Sequence, residues 1–223
     1  KNNALKGKDS VSIRGGDLTI TTTEGDGIQA NNSDDAAKGY VAIDGGTISI
    51  TSGRDGIQAE TTLKAQNTDI TIKTANGATD VNNLSAEESY KGLKAGTDIT
   101  LTDGTYTIDS ADDSLHANQN LTVDGGTLQL ASGDDGMHGD NQLTINNGDI
   151  TISQSYEGIE ASEIYFKGGT VSLTASDDGV NAGGGSDTDE GTGAFGTDSF
   201  GGGGPGGGEQ ADDSKFVEIT GGT

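Results

Sequence analysis

The stretch that decides the fold reads Leu121-Thr-Val123-Asp-Gly125-Gly126-Thr-Leu128-Gln-Leu130-Ala-Ser-Gly-Asp134-Asp135-Gly136-Met137-His138-Gly139. Within it, Leu121/Val123 and Leu128/Leu130 alternate with polar residues at period two, the signature of short strands with one buried face. A third, smaller pair, Met137/Gly139, follows the Asp-Asp-Gly corner. The unit then restarts at Leu143, and relatives start at Val11, Val41, Leu63, Ile99 and Ile164, with a truncated one at Val217. Starts at Ile99, Leu121, Leu143 and Ile164 are 22, 22 and 21 residues apart. A repeat of this length that keeps three apolar columns in phase predicts a solenoid, here an all-β parallel β-helix with three short strands per turn and about seven to eight turns. Jelly rolls and sandwiches also use short alternating strands, but nothing in them would hold that phase.

The columns can be written out. The first is Val11/Ile13, Val41/Ile43, Leu63/Ala65, Ile99/Leu101, Leu121/Val123, Leu143/Ile145, Ile164/Phe166 and Val217/Ile219. The second runs from Leu18/Ile20 through Ile48/Ile50, Ile70/Ile72, Tyr106/Ile108, Leu128/Leu130 and Ile150/Ile152 to Val171/Leu173. The third runs from Ile28/Ala30 through Ile57/Ala59, Leu93/Ala95, Leu115/Ala117, Met137/Gly139 and Ile159/Ala161 to Val180/Ala182. The chain is thus a single domain over 1–223, interrupted by insertions at 31–40, 74–91 and 183–215, the last a glycine-rich loop. Both ends fall inside the repeat, as expected for a part of a longer solenoid or for a coil whose cap is missing.

Composition alone suggests something else. Only 29% of the 223 residues are hydrophobic and the formal charge is −24, values usual for a disordered polyanion. A thin coil removes the conflict, since a turn needs only about six inward side chains and 39 glycines can serve its corners. Charge this negative argues against nucleic-acid partners, and no apolar run is long enough to cross a membrane. Without cysteine there is no disulfide framework. The chain does not open on a signal sequence, so an exported form would have lost its leader. A monomer is expected.

The acid is concentrated at the corner before the third strand. Asp26, Asp55, Asp135 and Asp178 precede its glycine, Asp113 and Glu157 hold equivalent positions, and Asp112, Asp134 and Asp177 come one residue earlier. Stacked about 4.8 Å apart, Asp112/Asp113 and Asp134/Asp135 would bring four carboxylates together. Such repulsion calls for protons or cations. Calcium, with six to eight oxygen ligands at roughly 2.3–2.6 Å in loose geometry, suits the set. Several calcium ions are therefore expected, structural and able to bridge to a ligand. A solvated Asp-Gly turn is the plain alternative for any single position.

Beside this corner, the outward residues of the third strand form a ridge: Gln29, Gln58, Lys94, His116, His138, Glu160 and Asn181. His116 and His138 fall one turn apart, which allows a metal site, sugar hydrogen bonds or plain surface exposure. Lys94, His116, His138, Glu160 and Asn181, with Tyr156 at a neighbouring corner, are the candidate carbohydrate contacts. The chain has no Trp, and Tyr40, Tyr90, Phe195 and Phe200 are the other aromatic platforms considered.

The 22-residue apolar-x-apolar-x-Gly-Gly turns, the Asp-Asp-Gly-apolar-x-Ala corner and the late Gly-Gly-Gly-Gly-Pro-Gly-Gly-Gly loop together resemble a bacterial family. It is that of the extracellular, calcium-bound, carbohydrate-binding β-helix proteins of polysaccharide-degrading clostridia, whose fold is similar to pectate lyases. The resemblance spans Val11 to Thr223. It implies a right-handed coil, several calcium ions, and binding of cellulose and acidic glycans such as polygalacturonate. It also implies a secreted or cell-surface protein. Asp112/Asp113, Asp134/Asp135 and Asp177/Asp178 match the Asp-Asp calcium feature of such lyases. The expected function is non-catalytic, calcium-dependent polysaccharide binding. A calcium-dependent pectate lyase is the first alternative, which would draw its base from Lys91, Lys94 or Arg54. A structural adhesin or matrix repeat is the second.

Overall fold

A computed structural model describes residues 2–79, 81, 84–85, 87–183 and 215–223. Within them every strand pair is parallel, and there is no helix long and apolar enough to cross a membrane. The three predicted columns are the three strand stacks of a parallel β-helix. The second is a seven-stranded sheet from Asp17–Thr21 to Thr170–Leu173. The other two merge into one 14-stranded sheet, because Met137–Ile145 and Ile159–Phe166 run unbroken through the corner that separates them elsewhere.

The register follows the apolar ladders. Val11 pairs with Val41, Val41 with Leu63, Ile99 with Leu121, and Leu143 with Ile164. Leu18 pairs with Ile48, Tyr106 with Leu128, and Leu115 with Met137. A one-residue slip would turn each buried ladder to solvent, so this pairing is strongly specified. The 21-residue turn shows as a register shift between Gly139 and Gln142.

Sequence periodicity misses one strand. Leu5–Gly7 lies below Ile28–Ala30 in the third column, with Leu5 opposite Ile28 and Gly7 opposite Ala30. Its preceding corner reads Asn3-Ala4 instead of Asp-Gly, which hides it. Of the glycine-rich loop and its Phe195 and Phe200, residues 184–214 lie outside the described residues.

Glycine serves the coil in two ways, where the composition suggested one. At the first corner the second glycine of Gly-Gly has positive φ, +97° at Gly46 and at Gly126, as tight turns require. At the acidic corner the reason is packing. A Cβ on Gly56 would lie 2.6 Å from the Gly92 carbonyl oxygen of the next turn and 2.5 Å from Ile72 Cγ2. Two residues break this column: beside Ala4, at the end of the coil, the Leu5 N–H bond to the Gly27 carbonyl stays at 3.0 Å, while beside Ser114, inside the stack, the Leu115 N–H bond to the Gly136 carbonyl is 3.3 Å. Gly56→Ala is therefore expected to destabilise by about 1–3 kcal/mol, the usual effect of overpacking. Equilibrium denaturant unfolding checks this, and an unchanged midpoint would refute the packing argument.

Candidate functional site

The acidic corner is held by its own backbone. At three corners the side chain accepts from the N–H of the equivalent residue one turn on: Asn3 Oδ1 from Asp26 at 2.9 Å, Asp55 Oδ1 from Lys91 at 2.8 Å, and Asp113 Oδ1 from Asp135 at 3.0 Å. Asp and Asn suit this role because their short side chains reach neighbouring backbone donors without distortion. The Oδ2 atoms of Asp26, Asp113 and Asp135 meet the outward residue three positions later: Gln29 Nε2 donates to Asp26 at 2.9 Å, and the Nδ1 atoms of His116 and His138 lie against Asp113 and Asp135. Consequently Asp26, Asp55, Asp112, Asp113, Asp135 and Glu157 are buried, while Asp177 and Asp178 at the last corner remain exposed. For the buried members the solvated-turn alternative fails.

One corner position carries the opposite charge. Lys91-Gly92-Leu93 falls in register with Asp55-Gly56-Ile57, so Lys91 stands where the other turns have an acid. Its buried ammonium lies 3.0 Å from Asp112 Oδ1 and 2.6 Å from Asp113 Oδ2. Asp112, Asp113 and Asp134 place carboxylate oxygens within 4.8 Å of one another. The ammonium pairs with two members of this trio of carboxyl groups. Asp113 is held well below the usual carboxylate range: burial opposes this, but Lys91 and the two histidines outweigh it.

The Asp26–Asp55 end differs. Asp26 Oδ1 is buried without a hydrogen-bond partner, and burial, then repulsion from Asp55, pushes the Asp26 carboxyl up to about 6.

The ridge points outward but its middle is covered. His116 and His138 are 5% and 1% exposed, and Glu160 is 7% exposed. The imidazoles stack at 4.7 Å with planes 14° apart. His116 Nδ1 contacts Asp113 Oδ2 at 2.7 Å and its Nε2 contacts Asn118 Oδ1 at 3.1 Å. His138 Nδ1 lies 3.0 Å from both Asp135 Oδ2 and Glu160 Oε2, with Nε2 3.1 Å from Asp140 Oδ1. Burial and the Lys91 charge press His116 down from its ordinary value. Burial acts the same way on His138, yet its three carboxylate partners hold it well above that value. Asp135 is pushed well up by burial and, despite its bond to His138, by Asp113 and Asp134. These three ridge residues are thus internal partners of the corner, and plain surface exposure does not describe them.

Lys94 and Asn181 are half-buried, with Lys94 Nζ 3.1 Å from Ser89 Oγ and Asn181 Nδ2 3.1 Å from Glu157 Oε2. Tyr156 is half-buried at its corner. Arg54 pairs with Glu88 at 2.6 Å. All three cations named as candidate bases are therefore engaged by side chains.

Sequence reading passed over Asp140 and Asn118, which anchor the far nitrogens of the histidines. It also passed over Tyr165 and Phe216, half-buried on the outward first face, with ring centroids 5.4 Å apart and Lys167 Nζ 5.1 Å from the Tyr165 ring centre. Tyr165 was legible as the outward residue between Ile164 and Phe166.

Compared with known proteins, the chain matches one family model, described as carbohydrate-binding domain-containing protein, over residues 1–136 and again over 135–179. No curated protein and no solved structure matches it.

Proposed function

Since the chain belongs to the family of carbohydrate-binding domain-containing proteins, we propose that it is a non-catalytic, calcium-dependent binder of acidic polysaccharide, polygalacturonate above all, at the cell surface. The observation that carries this reading is the corner where three carboxyl groups, Asp112, Asp113 and Asp134, gather beside the Lys91 ammonium that pairs with the first two. An all-oxygen, net-negative set of this kind fits calcium. The partnerless Asp26 Oδ1 beside Asp55 is a second place that would accept a cation, and the exposed Asp177/Asp178 pair a third. Bound there, calcium would supply positive charge to uronate carboxylates that a protein of charge −24 otherwise repels. Tyr165 and Phe216 offer aromatic surface for pyranose rings. Cellulose, the neutral ligand of the same reading, would bind without regard to calcium.

Catalysis is disfavoured by the engagement of Lys91, Lys94 and Arg54, since a lyase base must be free to take a proton. Calorimetric titration of polygalacturonate should give binding in millimolar calcium, none in chelator, and at least about tenfold weaker binding for Asp134→Asn, a loss of about 1.4 kcal/mol. Binding that ignores chelator would overturn the calcium dependence. Growth of ultraviolet absorbance from unsaturated uronate products would replace the binder with a lyase.

A further inference from the structure

Around His138 acid groups from three positions crowd one imidazole. Its Nδ1 can carry one hydrogen, yet it faces Asp135 Oδ2 and Glu160 Oε2 at 3.0 Å each, while Nε2 faces a third carboxylate oxygen, Asp140 Oδ1, at 3.1 Å. The imidazole is 1% exposed, so water cannot dilute the charge. Three acid groups therefore converge on the two nitrogens of one buried ring. Neighbouring Lys91 is already divided between Asp112 and Asp113.

We propose that Asp135, His138 and Glu160 form a binding site for a transition-type divalent cation, zinc being the best match, separate from the all-oxygen corner at Asp112, Asp113 and Asp134. The three ligand atoms lie within 4.8 Å of one another. A tetrahedral ion with bonds of about 2.0–2.2 Å spaces its ligands roughly 3.3–3.5 Å apart, so the two 3.0 Å edges need to open by only a few tenths of an ångström. An imidazole nitrogen among carboxylates selects zinc, cobalt or manganese over calcium. Asp140 supplies the outer hydrogen bond that fixes which nitrogen faces the metal, the arrangement usual for metal-bound histidines. The framework is rigid, because Glu160 is the strand partner of His138 one turn on and Asp135 belongs to the preceding corner. On binding, the cation takes the place of the proton on Nδ1, which leaves to solvent. This site goes beyond the polysaccharide reading and stands without it.

Cobalt tests it, as a visible stand-in for zinc. The full chain, stripped with chelator and returned to millimolar calcium, is titrated with cobalt(II). One equivalent should develop ligand-field absorption that zinc bleaches and calcium does not. Glu160→Gln should weaken cobalt binding by at least about tenfold, and Asp140→Asn by about 10–100-fold. Asp44→Asn, an exposed carboxylate at a first corner, should leave it unchanged. Should Glu160→Gln fail to fold by circular dichroism, Asp140→Asn decides. Absence of the band, equal affinity in Asp140→Asn, or displacement by calcium would overturn the proposal and leave Nδ1 with a shared proton.

Discussion

Lys91→Met should lower the unfolding free energy in chelator by about 3–5 kcal/mol, the range for removing one partner of a buried ion pair. The ammonium is the counter-charge that the structure places between Asp112 and Asp113, both almost out of reach of water. Methionine keeps the length and apolar stem of the side chain, and the backbone N–H that serves Asp55 is untouched. The loss therefore measures charge. Two carboxylates left together must then protonate or recruit a cation. Millimolar calcium should restore part of the stability by mass action, more than it does for the unmodified chain. Denaturant titrations with and without calcium give both quantities. A loss below about 1 kcal/mol in chelator would mean that the pair is effectively solvated.

The second large effect is one of pH. Asp26 has an unfolded value of 3.8 and a folded value of about 6, so the native state binds its proton more tightly. Its favourable contribution is full below pH 3.8 and lost as pH rises through 6. At 1.36 kcal/mol per pKa unit, the difference is about 3 kcal/mol. Asp26→Asn removes the titration and leaves an amide where Asn3 already serves in the turn below. In chelator the variant should match the unmodified chain near pH 4 and exceed it by up to about 3 kcal/mol at pH 7. With calcium present the gap should narrow, because a cation held at Asp26 stabilises only the acid. A pH-independent difference would refute the assignment.

How much of this could be read beforehand depended on the kind of constraint. Ladders such as Leu121 and Leu143 were legible because inward positions in a narrow coil accept only apolar residues, and their period is two. Leu5–Gly7 was hidden by an atypical corner. At the acidic corner, residue type alone leaves three roles open, since an aspartate can face water, cap a backbone N–H or hold a cation. The structure assigns the capping role to Asp55 and Asp113. Lys91 lay in the correct register throughout, but its sign differs from the other corners, and only coordinates reveal which acids it meets. Likewise, a polar outward residue reads as exposed, whereas His138 is enclosed by carboxylates from its own corner, its own strand and the next turn.

The corner acids bond within their own turn or to the turn above or below, and the strands pair with the neighbouring turns. Stability in such a stack is a sum of local increments with nearest-neighbour couplings, and no residue at one end senses the other directly. Cooperativity is then as strong as the weakest junction between adjacent turns. Lys91 sits at the junction between the units that start at Leu63 and Ile99, where the interruption between strands Thr68–Thr74 and Leu93–Ala95 returns to the coil. Its ion pairs act there as a rivet, setting whether the two halves of the rod melt as one body or as two.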